Sequence, residues 1–178
     1  MLIALLLYAA PLLGVLCNPV PYAPTAQAEP RPTVVYVVRH AEKLDPSARD
    51  SPLSAEGIER AEALALTLVK SGVQAIYATT LLRTQQTVAP LAERKDLTPV
   101  LLDPGAAEEL VRRIRMEHEG HVVLVAGHSN TVPGIVRALS GVDIDGIPEE
   151  RYDRLYKVTL AADGTATVEE LRYGKPTP

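Results

Sequence analysis

Residues Thr33 to His40 read TVVYVVRH, and residues His121 to His128 read HVVLVAGH. The apolar part of each, Thr33–Val38 and His121–Ala126, is nearly continuous and does not alternate with polar residues. A strand with one face in water alternates. A continuous run suits a strand buried on both faces, as in a parallel sheet covered by helices. Two further β-rich runs, Gln74–Ala78 and Thr98–Leu102, complete a set of four. Helical patterns lie between them. Ser54 can cap a helix running to about Lys70, with Ile58, Ala61, Leu64, Ala65 and Leu68 on one face and Gly72 beyond its end. Further helices are expected over about Leu81–Arg94 and Ala106–His118. A fourth follows Asn130, with Pro133 in its first turn and a stop near Gly141. After an acidic loop, Asp143–Asp153, two strands over Leu155–Leu160 and Thr165–Leu171 flank Ala162-Asp163-Gly164, a hairpin signal. The expected fold is a three-layer α/β/α sandwich, with a mostly parallel central sheet and a C-terminal antiparallel hairpin.

The rest of the composition bounds the reading. The chain has 178 residues, 18 basic and 22 acidic, and all of these charges lie after Ala28. Leu2–Cys17 is apolar but broken by Pro11 and Gly14, and it is shorter than the roughly 20 residues of a membrane span. Ala26-Gln27-Ala28 has the small-x-small pattern of a signal-peptide cleavage site before Glu29. The expected organisation is a signal peptide over 1–28, a linker over 29–32 and one folded domain over 33–178, exported to the periplasm or beyond with no stable membrane insertion after cleavage. No Lys or Arg precedes the apolar run, so an uncleaved anchor stays open as the alternative. Cys17 is the only cysteine, which leaves the mature domain without disulfides, a cysteine nucleophile or a Cys-based metal site. There is no Phe or Trp, so the core must be aliphatic, with Tyr as its aromatic residue. A net charge of -4 gives no electrostatic case for nucleic acid.

In open α/β sheets ligands bind outside the carboxyl ends of the strands. Those ends carry Arg39-His40, Thr79-Thr80 with Arg83 one turn into the next helix, Asp103, and Gly127-His128-Ser129-Asn130. Two arginines and two histidines on one rim, with few carboxylates, suit an anion and most simply a phosphate. Weaker patterns also occur. His118 and His121 lie three apart and invite a metal reading, but they straddle a helix end and Gly120, which favours a solvent-facing role. Asp143, Asp145 and Gly146 lack the remaining ligand positions of a calcium loop. Glu42 and Lys43 read equally well as a surface ion pair or as part of the pocket mouth.

Val37-Val38-Arg39-His40-Ala41-Glu42-Lys43 resembles the Arg-His-Gly signature of the histidine phosphatase superfamily, also called phosphoglycerate mutase-like, with Ala at the third position as in small bacterial phosphatase branches. Leu81-Leu82-Arg83-Thr84-Gln85-Gln86-Thr87 resembles its second element and Gly127-His128-Ser129-Asn130-Thr131 its third. The resemblance covers about Thr33 to Leu160. It implies a phosphatase that hydrolyses a small phosphorylated substrate through a phosphohistidine on His40, with no metal or other cofactor. Arg39, Arg83 and His128 would hold the phosphoryl oxygens, joined by Ser129. The proton donor to the leaving group is assigned to Asp103, in the place where the mutase branch has a Glu. Glu42, Glu108 and Glu109 are the alternatives. Leu44-Asp45-Pro46-Ser47 stands where mutases have an Asn, which disfavours mutase chemistry. Three other readings stay open: phosphoglycerate mutase-type transfer, phosphohistidine or phosphoprotein hydrolysis, and non-catalytic binding of phosphate or a sugar phosphate. Leu44–Pro52 and Asp143–Tyr152 are expected to border the rim and carry specificity.

Overall fold

The computed structural model describes residues 31–178; the expected leader, its expected cleavage site and Cys17 lie outside them. Six strands form one sheet: β1 (Thr33–Arg39), β2 (Val73–Thr79), β3 (Val100–Leu102), β4 (Val122–Gly127), β5 (Arg154–Leu160) and β6 (Ala166–Arg172). Four helices join them: α1 (Ala55–Leu68), α2 (Leu82–Lys95), α3 (Ala107–Glu117) and α4 (Val132–Ser140). The strand order is β3-β2-β4-β1-β5-β6. β3, β2, β4 and β1 are mutually parallel, and β5 and β6 add on antiparallel beside β1. At the tip of the last hairpin Gly164 has φ +86°, a conformation that favours glycine, and Ala161 N–H donates to the Thr165 carbonyl.

The continuous apolar runs have the expected cause. Alternate residues of β1 enter cores on opposite faces of the sheet. Val35 and Val37 pack with Leu110 and Ile114 of α3 and with Ile135 and Leu139 of α4. Val38 packs with Leu64 and Leu68 of α1 and with Val88 and Leu91 of α2. Helix pairs on both faces make three layers, and the largest fully buried aromatics are Tyr77 and Tyr156. The edge strand β3 is shorter than the sequence run: pairing with β2 covers only Val100–Leu102.

Helix α1 corrects one expectation. Ile58 is 57% exposed, while Arg60 is 5% exposed. The inward face of the first turns is instead Gly57, Arg60 and Ala61. A Cβ at Gly57 would run into the Glu42 carbonyl, so only glycine lets α1 lie this close to the segment after β1. Arg60 Nε then donates to both oxygens of Glu42 (2.8 and 2.9 Å), and Nη1 donates to the Lys175 carbonyl at 3.0 Å. The buried cation is thus matched by a carboxylate and by the C-terminal backbone, as a buried charge requires. Helix α2 continues through Pro90, which forgoes only its own amide bond. Ser54 caps α1 as expected, its Oγ accepting from Gly57 N–H at 3.1 Å.

Candidate active site

The β1–β4 register sets the site. Arg39 stands opposite Gly127, so the next residues, His40 and His128, leave the two strands side by side. His40 N–H still donates to the Gly127 carbonyl at 2.9 Å, and the two imidazole centroids are 5.4 Å apart. Helix α2 adds Arg83 from the neighbouring strand end. Its Thr87 Oγ accepts from Ala41 N–H at 2.9 Å, tying α2 to the segment just after His40. A cleft of about 520 Å³ opens here, lined by Arg39, His40, Arg83, His128, Ser129 and, from the flanking loops, Lys43 and Glu149.

The tautomer of His40 follows from its partner. Nδ1 lies 2.7 Å from the Ala41 carbonyl and can only donate to it, which leaves Nε2 with the free lone pair. Burial pushes His40 down to about 3; the Ala41 hydrogen bond opposes this, and the charges of Arg39, Arg83 and His128 add to it. Burial, then Arg83 and Arg39, lower His128 to about 4. Both rings are neutral at physiological pH, and a neutral imidazole is the nucleophilic form. His128 Nε2 meets Thr79 Oγ at 3.2 Å, and its amide donates to Thr131 Oγ at 2.9 Å.

Arg39 is buried beneath the loop that follows α4. Nη1 donates to the carbonyls of Pro148 (2.9 Å), Glu149 (2.7 Å) and Arg151 (3.2 Å), and the guanidinium stacks 4.2 Å from the Tyr152 ring centre. Nη2 pairs with Glu149 Oε2 at 2.7 Å. Arg83 Nη1 donates to the Arg49 carbonyl at 2.8 Å, which fixes the other rim loop. Burial lowers Arg83, Asp50 opposes and Arg39 adds to the fall, yet an arginine stays cationic at neutral pH. Among the described residues six buried side-chain nitrogens and oxygens lack a hydrogen-bond partner, and three of them are Arg39 Nε, Arg83 Nε and His128 Nδ1. Buried polar groups are nearly always satisfied, so three unpaired nitrogens around one cleft mark where an acceptor belongs.

Of the sequence-predicted residues, Arg39, His40, Arg83, His128 and Ser129 come together, and both expected rim loops border them. Asp103 does not join them. It is exposed, and its Oδ1 accepts from Gly105 N–H at 2.8 Å in a turn, while Pro104 and Gly105 reach the cleft instead. Glu42 is engaged by Arg60 and forms no pair with Lys43, Glu109 is held by Arg112 and Arg113, and Glu108 is exposed. Helix α2 offers no free first amide, because Leu82 N–H donates to Asp50 Oδ1 at 2.8 Å. Among the described residues the one carboxylate in the cleft lining is Glu149, which the sequence placed only within an acidic loop. Its partner Arg39 is 110 residues away, beyond the reach of any local pattern. His118 is not simply solvent-facing: it is partly buried, with Nε2 2.8 Å from the Tyr77 hydroxyl. Among the described residues no group of three or more His, Cys, Asp or Glu is arranged to hold a metal ion, and no helix is long and apolar enough to cross a membrane.

Residues 35–109 match the model of the histidine phosphatase superfamily (branch 1). That segment holds Arg39, His40 and Arg83; His128 and Glu149 lie beyond it. No curated protein matches the sequence. Solved structures share the fold. The protein histidine phosphatase SixA complexed with tungstate is 21% identical, with a TM-score of 0.62, over 78% of this chain and 96% of that one. A mycobacterial glucosyl-3-phosphoglycerate phosphatase is 13% identical, with a TM-score of 0.66, over 81% of this chain and 100% of that one. YhfR of Bacillus stearothermophilus is 20% identical, with a TM-score of 0.60, over 76% and 95%.

Proposed function

We propose, from the premise that the chain belongs to the histidine phosphatase superfamily, that it is a metal-independent phosphomonoesterase acting on a small phosphate ester. The observation that carries the reading is the trio of unpartnered buried nitrogens, Arg39 Nε, Arg83 Nε and His128 Nδ1, beside a neutral His40 with Nε2 unprotonated. In this reading Thr79 Oγ donates to His128 Nε2, which leaves the His128 proton on Nδ1, and the three nitrogens donate to the non-bridging oxygens of the phosphoryl group. His40 Nε2 attacks phosphorus, an N–P bond forms as the ester P–O bond breaks, and the alkoxide leaves, taking a proton from water in the open cleft. Water then attacks phosphorus, the N–P bond breaks, and phosphate departs. The two guanidinium groups offset the charge that builds on the equatorial oxygens, the part often played by metal ions in phosphoryl transfer. The charge-free segment before Glu29 supports an exported location, in keeping with a small-molecule substrate.

Purified protein incubated with p-nitrophenyl phosphate, with and without a chelator, tests the reading. Turnover is expected to survive the chelator and to vanish in His40→Ala, and acid-labile labelled phosphate should be trapped on wild type alone. Loss of activity with the chelator, or persistence without His40, overturns the mechanism.

One observation favours a second reading, a phosphohistidine-bearing substrate. Neither Asp103 nor its predicted alternatives line the cleft, and an imidazole leaving group departs from phosphorus more readily than an alkoxide does. A phosphohistidine peptide assayed beside an alkyl phosphate separates the two.

A further inference from the structure

Glu149 presents a carboxylate to donors that a phosphoryl group would use. Its Oε2 accepts from Arg39 Nη2 at 2.7 Å, and its Oε1 accepts from Ser129 Oγ at 2.6 Å. A carboxylate edge and a phosphoryl edge match a guanidinium in the same way, by sign of charge and by paired acceptors. The two cannot hold the same donors at once. The Ser129 hydrogen bond and the Arg39 charge keep Glu149 below the ordinary carboxylate range, so the competing group is an anion at neutral pH.

The side chain is free to move, while the backbone carrying it is not. The Glu149 side chain is 81% exposed and that of Arg39 only 3%. Rotation into water needs no repacking. Meanwhile Arg39 Nη1 holds the carbonyls of Pro148, Glu149 and Arg151, so the loop stays in place when the carboxylate lets go. The displaced charge therefore remains on an exposed part of the cleft lining, within electrostatic reach of an alcohol portion that extends toward solvent. The other charged side chain that a flanking segment contributes to the cleft lining, Lys43, has its ammonium engaged by the Pro46 and Ala48 carbonyls.

We propose that Glu149 is a displaceable internal anion that sets specificity: it occupies Arg39 and Ser129 until a phosphoryl group displaces it, and then disfavours esters whose alcohol carries further negative charge. The proposal rests on the phosphatase reading and adds to it a substrate class, phosphomonoesters of neutral, hydroxyl-rich or cationic alcohols. It also makes the protein a weak binder of free phosphate, because the product must break two charge-assisted hydrogen bonds to rebind.

The test compares wild type with Glu149→Gln, which removes the charge but keeps the size and the backbone carbonyls. Calorimetry with inorganic phosphate is expected to show binding tighter by about tenfold in the variant. Specificity is read from kcat/KM for glycerol 3-phosphate against 3-phosphoglycerate, which differ by a hydroxymethyl group in place of a carboxylate. The wild-type preference for the former should shrink by about tenfold. Unchanged or weaker phosphate binding overturns the proposal, as does an unchanged preference. A fall in kcat for glycerol 3-phosphate with p-nitrophenyl phosphate unaffected also overturns it, by making Glu149 the proton donor. If Glu149→Gln does not fold, Glu149→Ala replaces it, since Arg39 binds the backbone there. If wild type hydrolyses no ester, the phosphatase reading fails, while the calorimetric arm still decides whether Glu149 competes with the anion.

Discussion

Two histidine pairs stand at opposite ends of β4, and they are almost equally close. His40 and His128 have ring centroids 5.4 Å apart beyond the end of the strand; His118 and His121 are 5.9 Å apart before its start. The first pair is buried, flanked by two arginines, and surrounded by nitrogens without partners. In the second, His118 bonds the Tyr77 hydroxyl and His121 is exposed. Proximity of two imidazoles is therefore a poor guide to chemistry. What separates the pairs is whether the surroundings leave hydrogen-bonding capacity unspent in a dry place, which costs stability unless a ligand uses it.

The contrast can be broken by experiment. The largest effect is expected for His40→Ala, which should lower kcat by on the order of 10⁴-fold or more if His40 is the proposed covalent nucleophile. His118→Ala should leave kcat unchanged in the same assay. Arg83→Met should lower kcat by on the order of 10²–10³-fold, the cost of one oxyanion donor. Acid stability sharpens the comparison further. His40 and His128 have folded-state pKa values lowered to about 3 and about 4, so the unfolded chain takes up protons first. Their stabilising contribution is complete above about pH 6.5 and is lost as pH falls through the window toward 4 and 3. By pH 5 each should have cost about 2 kcal/mol. Urea denaturation at pH 7 and pH 5 measures this, and His128→Asn should reduce the difference by about half. Smaller is His118→Ala, which removes the partner of Tyr77 and should cost about 1 kcal/mol at pH 7. His121→Ala should fall within about 0.5 kcal/mol of wild type.

These outcomes depend on features of very different legibility. The strands and helices could be read from Thr33–Val38, His121–Ala126 and the periodic runs between them, because burial on two faces or one imposes a period on neighbouring residues. That Arg39, His40, Arg83, His128 and Ser129 gather around one cleft could be read because each stands at or shortly beyond a strand end. Tertiary partners could not. Ile58 fitted the helical stripe better than Arg60, yet the close approach at Gly57 and the Glu42 carboxylate draw Arg60 inward in the first turns and leave Ile58 outside. Asp103 was expected in the cleft by analogy with the mutase branch, but the Pro-Gly that follows bends its carboxylate into a turn. Glu149 had no periodicity around it and is defined by contacts with Arg39 and Ser129, elements far away in the chain.

The grip of Arg39 on the loop after α4 also bears on when the cleft comes into being. Its three backbone bonds span 109, 110 and 112 residues, so they close a loop that includes most of the domain. Contacts of such long range carry a large closure entropy and tend to form late in folding. A chain emerging in order would have both histidines and both cleft arginines before it had the segment that clamps Arg39. The proposed anion pocket is then a product of completed folding, and partly made chains would lack its geometry. Whatever phosphorylated compounds surround the nascent protein, they would meet a finished pocket only after almost the whole sequence had been threaded into place.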